Sequence, residues 1–319
     1  MEVSQFTAAA RAEFAVGMQA AYEMPFPAKY EQFLTKFPST AKVETHTYMS
    51  NLPRLARFKG YTPGLRLEDK VYTIPNFEWR IGAINVREAD IADDQVVGYM
   101  KSIQGLVPRA IKDTGHQILS KLAAGSTDLC FDGTAMFANS HVFGSGDNLD
   151  TFDPAATDAV THKIIALVTE NPIKPVLFQD RESLSALETD AGTPQQKKVK
   201  EIEYWADCRF GLGFGFWWDS YQISISDTPT VPECYTIVEQ IINGLRSFTL
   251  PKGHDVDDVL YVHEGWDPTP QNFVLCCNLK LGQILKRALA ITQYITATGN
   301  VDNVYKDVAT VIPTSALGA

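Results

Sequence analysis

The sequence predicts an α+β protein built from projecting elements and an α/β lobe. Three observations carry this. A net-positive stretch at 51–88 has strand patterning. An apolar helical stripe is sustained over 91–124. The last hundred residues alternate strands with helices. The 319 residues, 45% apolar and 21% charged, suit one large domain or two modest ones with a well-filled core.

From the N-terminus, residues 5–23 are Ala-rich and follow Ser4. Phe14, Met18 and Tyr22 share one stripe, and Pro25 and Pro27 end the helix this predicts. The stretch to about Ser50 is polar and mixed. Lys70–Ile74 and Phe77–Val86 then read as two strands about a Pro75-Asn76 turn. Phe77, Trp79, Ile81 and Ala83 alternate with Glu78, Arg80 and Gly82, which predicts a two-sided hairpin. Between 51 and 80 six basic residues (Arg54, Arg57, Lys59, Arg66, Lys70, Arg80) stand against three acidic ones (Glu68, Asp69, Glu78). Such a hairpin is either a solvated surface element or an arm lying on an acidic neighbour.

Residues 91–124 predict one helix of roughly 50 Å. Val97, Met100, Ile103, Val107, Ile111, Ile118 and Leu122 step by threes and fours with one gap of seven. Met100, Ile103, Val107, Ile111 and Leu122 are its expected core residues. Asp90, Asp93 and Asp94 suit the positive end of the dipole, Gly125 the close, and Pro108 predicts a kink or a split. After the run Leu129–Thr134 and a Gly/Asp/Asn-rich loop, Pro175–Phe178 reads as a strand and 184–203 as an exposed loop. Arg209–Trp218 alternates with period two: Phe210, Leu212, Phe214 and Phe216 face one way, and Gly211, Gly213 and Gly215 leave a bare face that another backbone layer can approach. A helix at Cys234–Ser247, a buried strand at 272–277, a helix from Leu279 to about Ala297 and a strand from Val304 to Ile312 complete the α/β lobe.

The chemistry these residues exclude is broad. Lys plus Arg number 28 and Asp plus Glu 38, a net charge of −10, so no chain-wide basic footprint for nucleic acid exists. No apolar run approaches the ~20 residues that span a bilayer, and the N-terminus lacks a signal-peptide pattern. The five cysteines (130, 208, 234, 276, 277) form no C-x-x-C, and the six histidines are too scattered for a metal clamp. Gly211-x-Gly213-x-Gly215 fails the dinucleotide pattern at Phe216. The acidic loop around His254 reads as solvated, Asp93-Asp94 diverge on a helix, and the tryptophans at 205, 217 and 218 read as core. Asp132-Gly133 beside His141 reads as a turn with a capping carboxylate in preference to a catalytic pair. The expectation is therefore no enzyme, no cofactor and no metal.

The blocks, in order, resemble the Mu-like major head subunit family (gpT type) of tailed-phage capsid proteins. They are Asn51-Leu-Pro53-Arg54-Leu55 with Gly60; Tyr72-Thr-Ile74…Asn76-Phe-Glu78; Val86-Arg87-Glu-Ala-Asp90-Ile91-Ala-Asp93-Asp94; Cys130-Phe-Asp132-Gly133…Phe137…His141; Pro175-Val-Leu-Phe-Gln179-Asp-Arg181; Gly213-Phe-Gly215-Phe216-Trp217; Phe273-Val-Leu-Cys-Cys277; and Asn303-Val304-Tyr305…Val308…Val311-Ile312-Pro313. Arg57-Phe58 departs from the family's tryptophan-bearing segment.

The resemblance implies the Hong Kong 97-type fold. Its parts would be an N-terminal arm (1–47), an extended loop (48–88), a peripheral domain (89–227) with a spine helix (91–124), an axial domain (228–303) and a C-terminal return strand (304–319). It implies a major capsid protein that assembles with itself into the hexamers and pentamers of an icosahedral shell. The shell encloses double-stranded DNA without sequence-specific binding, in a virion built in the host bacterial cytoplasm. The other implied partners are a separate scaffolding protein, with no N-terminal scaffold segment removed from this chain, a portal and a decoration protein. Arg54, Arg57, Lys59, Arg66 and Lys70 are the expected inter-subunit contacts. A cellular nanocompartment shell of the same fold, and a soluble α/β enzyme, stay open as alternatives.

Overall fold

Two sheets, a broken helix and a paired hairpin stem organise the computed structural model, which describes residues 5–6, 8–10, 12, 25–49, 69–93, 96–155, 158–188, 200–251, 259–296 and 299–317. Of the expected first helix, Phe6 and Ala10 are described and buried, whereas Phe14, Met18 and Tyr22 lie outside the described residues. β1 (Leu34–Pro38) follows a 3₁₀ turn that buries Tyr30 and Phe33.

β2 (Val43–Met49) pairs antiparallel with β3 (Asp69–Pro75), from Val43 opposite Pro75 to Met49 opposite Asp69. β4 (Phe77–Arg87) leaves in another direction and pairs with 201–210. The expected hairpin of 70–74 with 77–86 is thus corrected. Pro75-Asn76 is a corner between two sheets, because the Asn76 amides bond backward: N–H to Lys42 O at 2.9 Å, and the side chain to Ser39 Oγ and Ala41 O at 2.7 and 2.8 Å. Along β4 the register shifts between Ile81 and Ile84, a bulge that leaves Gly82 and Ala83 both exposed and turns Ile84 and Val86 inward again.

The single 91–124 helix is replaced by α1 (Glu88–Ala92), α2 (Val96–Gln104) and α3 (Leu106–Ala123). Gly105 separates the last two yet keeps helical angles, and its neighbours bond across it: Gly105 N–H to Lys101 O at 3.1 Å and Arg109 N–H to Gly105 O at 3.2 Å. The break precedes Pro108, which has no N–H to give to Gln104. Asp90 and Asp93 sit inside and at the end of α1, not at the start of the long helix, and Asp94 lies outside the described residues. Ile103, Val107 and Leu122 are buried, and Met100 and Ile111 pack half-buried against the core. Val97, placed on the same stripe by its spacing, is instead 66% exposed in the first turn of α2. Gly125 is not a left-handed cap. Its bare Cα admits the Phe137 ring, which a Cβ would meet at 2.5 Å.

The remaining elements are β5 (Leu149–Phe152), β6 (His162–Val168), β7 (Val176–Glu188), β8 (Glu201–Phe214), β9 (Ser220–Ile225), α4 (Val231–Ser247), β10 (Thr249–Pro251), β11 (Val259–Tyr261), β12 (Phe273–Asn278), α5 (Leu279–Ala290), β13 (Gln293–Thr296), β14 (Gly299–Asp302) and β15 (Thr310–Thr314). One sheet runs β1-β7-β8-β4 and the other β15-β12-β6-β9-β5. β12, an inner strand between β15 and β6, is buried at every position, which its unbroken apolar run required. The second sheet draws strands from both sides of the 227/228 boundary.

Four further expectations change. Residues 184–188 and 201–203 belong to paired strands, because alternating Leu184, Ile202, Tyr204 and Ala206 close a second core with α2 and α3; 189–199 lie outside the described residues. The strand read to Trp218 ends at Phe214, and 217–219 form a 3₁₀ turn. α5 stops at Ala290, where Ile291 turns extended and the chain enters the β13–β14 hairpin. The last strand begins at Thr310, with Val304 exposed in a turn. α4 begins on a reciprocal capping box, Thr230 with Glu233, and its inner face buries Cys234, Ile237, Val238, Ile241 and Leu245. Among the described residues no helix is long and apolar enough to cross a membrane. All five cysteines are free, and burial pushes their thiols up, Cys277 to about 12.

The bare face of β8 does what its glycines allow. A Cβ at Gly211 would sit 2.6 Å from Pro75 O, and one at Gly213 2.2 Å from Ile74 Cδ1. The end of β3 thus lies directly on β8. Gly211→Ala should lower the unfolding free energy by about 1–3 kcal/mol, because a backbone oxygen must move. Denaturant titration checks this, and an unchanged midpoint would show that the two layers part freely.

Candidate functional site

Two places concentrate polar contacts: the β2–β3 stem and the loop after α3. Three sets of bonds tie the stem to the rest of the fold. Glu44 Oε1 accepts from Ser39 Oγ and from the N–H groups of Thr40 and Ala41 at 2.9, 2.9 and 3.1 Å. Those Ala41 and Thr40 N–H groups hold its carboxyl below the usual range. Gln179, fully buried in β7, donates to His46 Nε2 at 2.7 Å. The Tyr72 hydroxyl accepts from Phe214 N–H and donates to Leu129 O, both at 3.3 Å.

Beside the stem lies a groove of about 770 Å³ whose lining includes Val71, Ile74, Phe77, Lys121, Leu129 and Leu212. Val71, Phe77 and Leu129 are exposed at its lips. Among the described residues nothing covers these three side chains.

The loop after α3 builds a buried polar cluster. Gly133, at φ +81°, turns the chain so that Asp132 Oδ1 accepts from Thr134 N–H at 3.0 Å and from the Cys130 thiol at 2.9 Å. Asp132 Oδ2 lies 3.0 Å from His141 Nδ1, and both side chains are fully buried. Burial alone would raise the Asp132 carboxyl, but the bonds from His141, Cys130 and Thr134 outweigh it and hold it at about 2. Burial, and then the Asp132 carboxylate, push the Cys130 thiol far up. The His141 ring stacks on Trp217 at 3.9 Å and 2°.

His141 Nε2 faces Asn148 Oδ1 at 3.2 Å. Asn148 is fully buried and its amide orientation is fixed. Nδ2 donates to Met136 O, Trp217 O and Ser220 O, and Oδ1 accepts from Ala138 N–H at 2.9 Å. Among the described residues Cys130, Asp132 and His141 form the cluster whose Sγ, carboxylate oxygen and ring nitrogen lie within 4.8 Å of one another.

The turn carboxylate and the Asp132–His141 pair, weighed against each other in the sequence, are one unit. Asn148 and Trp217 complete it. Neither gives a local signal, since Asn148 sits in a polar loop and Trp217 reads as core. Of the expected inter-subunit residues, Arg54, Arg57, Lys59 and Arg66 lie outside the described residues, and Lys70 stands on β3 opposite Tyr48. The acidic loop around His254 also lies outside them.

Comparison with known proteins gives these features a frame. The Mu-like prophage FluMu major head subunit of Haemophilus influenzae is 24% identical over 201 residues, spanning 60% of this chain and 64% of that protein. The procapsid of bacteriophage JBD30 matches with a TM-score of 0.69 at 23% identity, over 99% of this chain and 100% of that one. The JBD30 capsid matches with a TM-score of 0.67 at 17% identity, over 92% and 91%. The fold is accordingly the Hong Kong 97-type α+β fold of phage capsid subunits. Residues 3–236 match the family described as Mu-like prophage major head subunit gpT, and this chain belongs to that family.

Proposed function

We propose that this chain is the major capsid protein of a tailed bacteriophage, forming the hexamers and pentamers of an icosahedral shell around double-stranded DNA. Family membership carries the reading. The stem supports it physically: a paired ribbon beside a groove whose lips are exposed among the described residues suits a subunit that completes its packing on neighbouring copies. The acidic net charge suits a wall that does not clamp phosphates, so that packaged DNA can move. The basic residues at 54, 57, 59, 66 and 70 act in inter-subunit ion pairs. Assembly takes place in the host cytoplasm with a separate scaffolding protein, a portal and a decoration protein.

Electron microscopy of the purified protein, alone and co-expressed with scaffold, tests the reading. Closed icosahedral shells are expected, and nuclease-protected DNA inside particles from induced cells separates a phage head from a nanocompartment holding a cargo protein. A stable monomer or dimer that never assembles would overturn it.

A further inference from the structure

We propose that Cys130, Asp132 and His141 bind a zinc ion that closes the loop after α3 on itself. The donor set is sulfur, oxygen and imidazole nitrogen, the set that zinc favours and that hard cations avoid. The three ligand atoms converge within 4.8 Å in a buried site, and local geometry imposes the convergence. The Gly133 turn aims Cys130 and Asp132 at the same point, and stacking on Trp217 fixes the imidazole plane.

The outer shell carries the argument furthest. A histidine that binds zinc through one nitrogen gives its other N–H to a fixed acceptor. His141 has that acceptor in Asn148 Oδ1, and Asn148 cannot present its amide nitrogen instead, because three backbone carbonyls hold it. Nδ1 is thereby left facing Asp132 Oδ2 at 3.0 Å, in the same cluster as Cys130 Sγ.

On binding, the Cys130 thiol gives up its proton and becomes the thiolate ligand, and the imidazole takes the metal at Nδ1 with its own proton on Nε2. Thiolate and carboxylate then balance the dication, so the buried site is neutral. Cys130 also lines the groove beside the stem, which makes its side of the site the nearest to an opening.

The ion would tie residues 130–141 together without disulfide chemistry, and the Asn148 bonds and the Trp217 stack join that loop to the 217–220 segment. The inference does not depend on assembly into shells, and its test reads metal, not particles. The full-length protein, dialysed against excess zinc(II) and then metal-free buffer, should retain about one zinc per chain by mass spectrometry of metals. Cobalt(II) in place of zinc should give a thiolate charge-transfer band in the near ultraviolet and visible bands of a tetrahedral site.

Cys130→Ser should abolish the charge-transfer band and weaken zinc binding at least ~10-fold. Should that variant fail to fold, the parent decides the matter: a chelator should lower its thermal midpoint, and zinc but not magnesium should restore it. Less than about a tenth of a zinc per chain, with no cobalt band and no effect of chelator, would overturn the proposal and leave the three side chains as a hydrogen-bonded network.

Discussion

Replacing Arg54, Arg57 and Lys59 together by glutamate is expected to abolish closed shells and leave soluble subunits or misassembled sheets. These three residues stand in the most basic stretch of a chain whose net charge is −10, so copies that meet along that stretch bring it against acidic surface. One exposed ion pair contributes only about 0.2–1 kcal/mol. Turning three attractions into three repulsions of that size shifts each contact by about 3 kcal/mol, on the order of 100-fold in association. A closed shell repeats the same contact at every equivalent position, so the loss is multiplied over the particle.

A single Lys59→Glu change should slow assembly without preventing it. Added salt should weaken assembly of the parent, because surface ion pairs lose strength as ionic strength rises. Sedimentation and negative-stain microscopy read the outcome. Normal heads at normal yield from the triple variant would show that these residues make no inter-subunit pairs.

The sequence disclosed what local residue chemistry controls. The glycine face of β8 was legible because a missing side chain at every second position leaves space only for a close neighbour, and Pro75 and Ile74 occupy it. The long helical stripe was legible for the same local reason, although it breaks after Ala92 and again at Gly105, ahead of the proline that announces a break. β2 was not legible. Val43, Thr45 and Thr47 alternate with Glu44, His46 and Tyr48, but the strand is held by its ladder to β3 and by single anchors such as Gln179 to His46, so hydrophobic periodicity is silent. The far ends of β7 and β8 escaped notice in the same way. In the polar cluster, Asp132 and His141 lie close in sequence, whereas Asn148 reaches Trp217, 69 residues on, and nothing short-range announces such a bond.

Asp219 lay wholly outside that reading, and its replacement by asparagine should stabilise the protein strongly at alkaline pH. The residue is fully buried, and burial raises its carboxyl from 3.8 to about 8. Asn171 Nδ2 donates to Oδ1 at 2.8 Å, and Lys174 lowers the pKa while Glu170 raises it, but Oδ2 has no partner among the described residues. His263 Nε2 approaches Oδ1 to 3.7 Å without neutralising it. Burial pushes that imidazole down, and Nε2 is engaged by Trp218 O at 2.8 Å.

The folded chain therefore keeps the Asp219 proton up to about pH 8, whereas the unfolded chain gives it up near 3.8. Between those limits the folded state binds more protons, so stability falls as pH rises and levels off above about 8. The full displacement is worth on the order of 5 kcal/mol, an upper bound that local relaxation reduces. Asparagine keeps the oxygen that accepts from Asn171 and never ionises. The variant and parent should have similar denaturant midpoints near pH 4, and the variant should gain progressively to pH 8. The acid-side loss from neutral His263 is common to both proteins and cancels in the difference. A gap between the two midpoints that stays constant from pH 4 to 8 would show that Asp219 ionises in the folded protein as freely as in the unfolded one.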